Sequence, residues 1–210
     1  TTIIIGSLSN LTVGTKVTIR VTSAATTNYN EAYKEYTLTI SRASITPTVN
    51  MTGYMYGGTK STPSVTGNTG NGAVTYYYNT TNSNSNGTLW STVTSSTSLN
   101  AGTYYMYAVI SETANYSGAT TLAKAFTISK ATGYVNLSST TGTVPYGTAS
   151  KTFAVSSYHG GTLSVVEITS TAATVNINGK TVTISTLGAL SSGTEVTVRV
   201  TSAATINYNS

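Results

Sequence analysis

The sequence predicts an all-β protein made of small sandwich modules, and three observations support that fold class. Only 7% of the residues are charged, and Thr, Ser, Asn and Gly supply much of the remaining polarity. Thr suits half-solvated strands, whereas Gly, Asn and Ser favour turns. Apolar residues alternate with Thr over several short stretches separated by turn residues, and no segment has helical periodicity.

The alternating stretches place the predicted strands at residues 17–21, 36–40, 74–78, 182–184 and 196–200. Most of them have one apolar face and one face of Thr or Arg, which indicates a sheet packed on one side. Asn178-Gly179 predicts a two-residue hairpin before the strand at 182–184. Gly160-Gly161 predicts a further turn.

The chain repeats part of its own sequence. Residues 193–209 match residues 14–30, and the two stretches differ only at 16/195, 19/198 and 27/206. The match extends upstream, where Leu8 and Leu11 align with Leu187 and Leu190. Self-similarity at a fixed spacing indicates an array of modules.

Two alternating module types together account for this 179-residue period. Residues 1–42 are predicted to be the C-terminal half of a longer type, residues 43–130 a complete shorter module, and residues 131–210 a longer module without its last strand. The linkers at residues 42–44 and 130–132 hold no flexible Gly/Ser run, so we expect stiff joints. Two explanations of the mid-module ends stay open: the chain is a window onto a longer repetitive polymer, or the N-terminal strands of one copy complete the C-terminal module of the next.

Two sets of motifs carry a family resemblance that covers essentially the whole chain. In the longer type they are the stretches at 162–165, 173–184 and 193–200; in the shorter type they are those at 56–58, 65–68, 76–78 and 101–105. The longer type resembles the group-two bacterial immunoglobulin-like repeats of invasin- and intimin-like surface proteins, and the shorter type resembles another bacterial immunoglobulin-like repeat. The resemblance implies tandem immunoglobulin-like β-sandwich modules arranged as a rod in an extracellular stalk or adhesin.

The residue inventory argues against catalysis and against bound cofactors or metals. The chain has one His, His159, and no Cys or Asp, so neither a Ser-His-Asp triad nor a tetrahedral zinc site can be assembled. We expect His159 to be an exposed turn residue beside Gly160. The five Glu residues are scattered singly, which disfavours calcium-bound linkers. We expect no enzymatic activity.

Charge and hydropathy limit the partners. The net charge is +5 without a basic run, which is unlike the clustered Lys and Arg of nucleic-acid-binding proteins. No apolar stretch approaches the length of a membrane span, so we expect no membrane insertion by this segment.

The aromatic residues are the candidate ligand contacts. Tyr76, Tyr77 and Tyr78 are consecutive in one predicted strand, so they cannot all face the core, and Trp90 follows a polar loop. Either alternate members fill the core and the others form cross-strand pairs, which we favour, or the group forms an exposed strip for a sugar or protein. Asn28-Tyr29, Asn115-Tyr116 and Asn207-Tyr208 recur in both module types, which predicts a tyrosine that closes the end of a sandwich with its hydroxyl on the backbone.

Two functions follow from these features. The preferred one is a structural repeat segment of a large extracellular bacterial surface protein or filament: a stalk, fibre or adhesin. The alternative is a ligand-binding adhesion module that recognises a glycan, a host protein or another surface. The expected partners are neighbouring copies of the repeat, head to tail. Strand complementation is one such arrangement, because residues 131–210 lack the strand that residues 35–42 would supply.

Overall fold

The computed structural model describes residues 2–210, which form sixteen β-strands and three short 3₁₀ helices, with no α-helix in that range. The strands are β1 (Lys16–Ser23), β2 (Ala32–Thr39), β3 (Thr48–Asn50), β4 (Tyr54–Met55), β5 (Ser64–Thr66), β6 (Val74–Asn79), β7 (Thr88–Leu89), β8 (Gly102–Ile110), β9 (Ala119–Thr120), β10 (Lys124–Ser129), β11 (Val135–Leu137), β12 (Lys151–Tyr158), β13 (Leu163–Glu167), β14 (Thr174–Asn178), β15 (Thr181–Ser185) and β16 (Val198–Ser202). The 3₁₀ helices are Leu8–Asn10, Trp90–Thr92 and Leu187–Ala189. The chain is therefore all-β, as its composition predicts.

The strands form several sheets, an arrangement consistent with β-sandwiches. A six-stranded sheet has the order β4-β10-β8-β6-β7, with β9 on β8, and a four-stranded sheet has the order β11-β12-β15-β14. The pairs β1-β2, β3-β5 and β13-β16 complete the set. These three pairs are antiparallel, whereas β4 runs parallel to β10.

The chain divides into two compact units that do not follow the linkers. Unit 1 consists of residues up to Met51, Thr62–Thr92 and Tyr104–Phe126. Unit 2 consists of Thr52–Ser61, Val93–Thr103 and Thr127–Ser210. The module boundaries after residues 42 and 130 stay predictions.

Each unit has buried residues of its own. In unit 1 the buried side chains include Val49, Trp90, Met106, Ile110 and Phe126. In unit 2 they include Val93, Ile128, Val155, Val182 and Ser202. Most of these lie on strands whose neighbouring residues are exposed, so the alternation in the sequence corresponds to alternating burial.

The hairpin between β14 and β15 is present, with a turn one residue later than Asn178-Gly179 suggests. Asn178 pairs with Thr181 across the ladder, so the two turn residues are Gly179 and Lys180. Gly179 has φ +57°, as a tight hairpin requires at its first turn position. The predicted turn at Gly160-Gly161 separates β12 from β13, and Gly160 has φ +89°.

Two strand predictions need correction. The hairpin β1-β2 pairs over eight residue pairs, from Lys16 with Thr39 to Ser23 with Ala32, but its apolar face is only partly covered. Val21 is 49% exposed and Tyr36 is 63% exposed. The strand predicted at 196–200 begins only at Val198. Within residues 2–210 no strand forms a ladder with residues 193–197, although the Thr197 carbonyl accepts a hydrogen bond from the N–H of Ile168 at 2.9 Å.

Candidate functional site

The aromatic residues predicted as ligand contacts lie on both sides of β6. Tyr78 contacts the ring of Trp90 edge to face, with the ring centroids 6.0 Å apart. Trp90 contacts Phe126 in the same way at 5.7 Å. On the opposite side Tyr77 stacks on Tyr107 at 5.3 Å. The alternation of side chains along a strand explains this division.

Packing accounts for the burial of these rings. Trp90 is only 6% exposed, and Tyr76, Tyr77 and Tyr78 are half-buried. The hydroxyl of the stacked Tyr107 accepts a hydrogen bond from the backbone N–H of Gly87 at 2.9 Å. Contact of Tyr76, Tyr77, Tyr78 and Trp90 with a ligand stays a prediction.

Two phenols of this cluster titrate above their ordinary range. Burial raises the pKa of Tyr76 above its ordinary value. Burial also raises the pKa of Tyr104, and the neighbouring Tyr78 adds to that rise. Both groups are therefore neutral at physiological pH, and neither can serve as a base there.

The prediction that His159 is an exposed turn residue is wrong, because its ring is 9% exposed and lies between two backbone groups. Its Nδ1 accepts a hydrogen bond from the backbone N–H of Tyr134 at 2.9 Å, and its Nε2 lies 2.9 Å from the carbonyl oxygen of Ala203. Nδ1 also lies 3.0 Å from the carbonyl oxygen of Tyr134. The ring also contacts Tyr134 and Tyr208 at centroid distances of 5.9 and 5.4 Å. His159 is a structural residue that holds the 203–208 segment in place.

Two of the three Asn-Tyr motifs, Asn115-Tyr116 and Asn207-Tyr208, pair with the first Ala of the predicted module that contains them. In unit 1 the backbone N–H of Ala43 donates to the carbonyl of Asn115, and that of Ser117 donates to the carbonyl of Ala43, both at 2.9 Å. In unit 2 the backbone of Ala131 makes the same two bonds with Asn207 and Asn209, at 2.8 and 2.9 Å. A structural role was predicted for these motifs, but the hydrogen bonds come from the backbone and not from the phenol.

A basic residue precedes each of these alanines and holds the same loop. Arg42 Nε donates to the carbonyl oxygen of Thr113 at 3.0 Å, and Lys130 Nζ donates to that of Thr205 at 2.5 Å. Thr113 and Thr205 lie at the same position relative to their Asn-Tyr motifs. We call the combination of a basic residue, an Ala and an Asn-Tyr motif the junction clamp. Ser-Arg-Ala at residues 41–43 and Ser-Lys-Ala at residues 129–131 recur in the sequence, and this recurrence is the signal for the basic residue of the clamp.

Further contacts reinforce the clamp at Ala131. The backbone N–H of Ala101 donates to Asn207 Oδ1 at 2.8 Å, and Asn207 Nδ2 donates to Asn100 Oδ1 at 3.0 Å. Tyr56 contacts the ring of Tyr208 edge to face at 5.6 Å. At Ala43 the additional contact is an ion pair between Arg42 and Glu112 at 3.3 Å. Residues from both predicted modules therefore meet at each clamp.

The clamps position chain segments and present no chemically reactive set. Within residues 2–210 no group of three or more His, Cys, Asp or Glu residues could hold a metal ion. The same range contains no helix that is long and apolar enough to cross a membrane. Comparison with protein-family models, curated proteins and solved structures gives no match.

Proposed function

We propose that this chain is a structural repeat segment of a large extracellular bacterial surface protein or filament, of the stalk, fibre or adhesin kind, and that it has no enzymatic activity. In this proposal the modules are immunoglobulin-like sandwiches joined head to tail as a rod at the cell surface. The sequence resemblance to bacterial immunoglobulin-like repeats supports the proposal, and the junction clamp is the observation that carries it.

The clamp supports a load-transmitting role because it ties the start of one module to loops near its end. A linker without such contacts would swing freely, whereas four hydrogen bonds or more fix the path of the chain at Ala131. Each net hydrogen bond contributes about 0.5–1.5 kcal/mol, so several together oppose bending at the joint. Modules that contact only their neighbours also let a rod grow by simple repetition.

Exposed clamp components support neighbouring copies as partners. Tyr29 belongs to an Asn-Tyr motif and is 78% exposed, in contrast to the half-buried Tyr116 and Tyr208. Tyr146 precedes Gly147 as Tyr56 precedes Gly57, and Tyr146 is 79% exposed. Since Tyr56 contacts Tyr208, a neighbouring Asn-Tyr motif is the natural partner of Tyr146.

Electron microscopy of native material tests the proposal. We expect beaded filaments or stalks whose axial repeat corresponds to two modules, that is, to one full period of the sequence. Discrete particles without an axial repeat would contradict the structural role. A glycan or protein ligand that binds such particles would favour the adhesion-module alternative instead.

A further inference from the structure

An open groove of about 640 Å³ lies beside the start of β16, within unit 2. Its apolar lining includes Val144, Ile184, Leu187, Leu190 and Val196, and Thr and Ser residues surround these side chains. The segment 193–197 forms one wall and is not in a strand. A groove of this size, with apolar side chains among hydroxyl groups and one wall outside any strand, fits an extended peptide.

In the N-terminal hairpin, a segment of nearly the same sequence as that wall is paired with a strand. Residues 14–18, which match 193–197, pair with the end of β2: Gly14 N–H donates to the Ile40 carbonyl, and Ile40 N–H donates to the Thr15 carbonyl, both at 2.9 Å. Val17 pairs with Leu38. The segment that lines the groove therefore has the sequence that binds residues 37–40 elsewhere in the same chain.

We propose that the groove and the edge of β16 opposite β13 form a binding site for a strand with the sequence of residues 32–40, supplied by another copy of the repeat. The inference rests on the proposed repeat function and specifies the contact between copies. The hairpin register, moved forward by one sequence period, pairs Val196 with Leu38 and Ser202 with Ala32. Directly paired residues share a face, so Leu38 and Ile40 enter the groove beside Val196 and its apolar neighbours Leu187 and Leu190.

Charge and hydroxyl pairing favour this register. In the hairpin Arg20 forms an ion pair with Glu35 at 2.7 Å, and the hydroxyls of Thr18 and Thr37 lie 3.1 Å apart. The corresponding residues of the β16 segment are Arg199 and Thr197. Glu35 and Thr37 of the incoming strand would meet the same partners there.

β2 already pairs with β1 of its own chain, and the β1 and β16 segments present nearly the same sequence to it. The β16 site adds the groove, which covers Leu38 and Ile40, whereas these side chains are only half-buried in the hairpin. The difference in apolar burial favours the β16 site over the hairpin for such a strand.

A synthetic peptide of residues 30–42 tests the site on the intact chain, with binding measured by fluorescence anisotropy. We expect saturable binding that weakens at least about tenfold for the peptide with Leu38→Ser and Ile40→Ser, because two buried apolar side chains are lost. Absence of binding by the unsubstituted peptide, or equal binding of the two peptides, would overturn the proposal.

Disulfide trapping tests the register, since the chain has no Cys. The chain carries Thr201→Cys or Thr197→Cys, and the peptide carries Tyr33→Cys or Thr37→Cys. We expect cross-links for 201 with 33 and for 197 with 37, and little for the two crossed combinations. Equal cross-linking in all four combinations would overturn the register. A filament seen by microscopy without peptide binding would leave the structural role intact and reject only this site.

Discussion

Residues 14–30 and 193–209 have almost the same sequence and the same turns, yet their side chains are buried to different degrees. The preceding 3₁₀ helices begin after Ser7 and Thr186, with φ +56° and +60°, and Gly14 and Gly193 have φ +88° and +86°. Ser202, however, is 1% exposed, whereas Ser23 is exposed. The sequence of the segment determines its local path, and the strands packed on it determine its burial.

The partners of the two segments explain the difference. β16 pairs with β13, and the following 203–208 segment lies against His159 and Ala131. β1 pairs with β2, and its other edge has no strand beside it within residues 2–210. Burial in this chain therefore depends on the strands and loops around the repeated segment and not on the segment itself.

Substitution of one equivalent residue by Ala in each copy of the repeated sequence should produce the largest difference in the free energy of unfolding. Val182 is fully buried, whereas Ile3, the equivalent position one period earlier in the sequence, is 54% exposed. We expect Val182→Ala to lower the free energy of unfolding by about 2–3 kcal/mol through lost burial and a cavity, and Ile3→Ala by less than about 0.5 kcal/mol. Urea denaturation followed by circular dichroism measures both values. Equal losses would show that the two copies have the same environment.

Removal of the His159 ring should cause the second-largest loss in the free energy of unfolding. His159→Ala leaves the N–H of Tyr134 and the carbonyl of Ala203 without their partner, so we expect a loss of about 2 kcal/mol. The exposed Thr152→Ala in β12 is the control, with a change within about 0.5 kcal/mol. Faster amide exchange at residues 203–208 in His159→Ala should accompany the loss. An unchanged exchange rate there would contradict the role assigned to the ring.

Arg20 and Arg199 occupy equivalent positions in the two repeated segments, and their substitution tests the comparison further. Arg20 pairs with Glu35 and lies over the ring of Tyr33 at 4.4 Å, whereas the structure records no ion pair for Arg199 within residues 2–210. We expect Arg20→Ala to cost about 0.2–1 kcal/mol, the range of an exposed ion pair, and Arg199→Ala to cost less. High salt should reduce the difference between the two variants. A larger loss of stability for Arg199→Ala than for Arg20→Ala would contradict this ranking.

The smallest expected effect is on the stability of the fold at acid pH, through the Glu167 carboxylate. Hydrogen bonds from Thr169, with help from Thr171, hold the pKa of Glu167 below its ordinary value of 4.5, although burial opposes them. A lowered folded-state pKa means that the carboxylate stabilises the fold above pH 4.5, and this contribution is lost as the pH falls through the folded-state pKa. We expect Thr169→Val to raise the Glu167 pKa in an NMR titration. An unchanged midpoint would show that the hydroxyl does not determine it.

The strands that could be predicted are those whose alternation is reinforced by their own neighbours. The hairpin β14-β15 is an example, because Val182 and Ile177 lie opposite each other in a local ladder. The strand at 196–200 was predicted too early, because the residues from 193 to 197 need a partner strand that alternation cannot reveal. The burial of His159 could not be predicted, since its partners Tyr134 and Ala203 are 25 and 44 residues away.

The aromatic cluster and the clamps show the same limit. Consecutive tyrosines indicate that β6 has aromatic residues on both faces, but only the fold reveals that Trp90 is covered by Tyr78 and Phe126. The Asn-Tyr motif was recognisable because it recurs. Its partner Ala was not, because the pairing joins the first residue of a predicted module to a loop near the end of the same module.

Small-angle X-ray scattering of concatenated repeats tests the central claim that clamped modules form a stiff array. Residues 32–210 make up one full period, so one, two and three joined copies can be compared. We predict that the maximum dimension grows by a constant increment with each period. A variant with Lys130→Ser and Asn207→Ala, which removes two side chains of the clamp, should show smaller increments. Growth well below linear in the unsubstituted chain, unchanged by the clamp substitutions, would contradict the structural-repeat account.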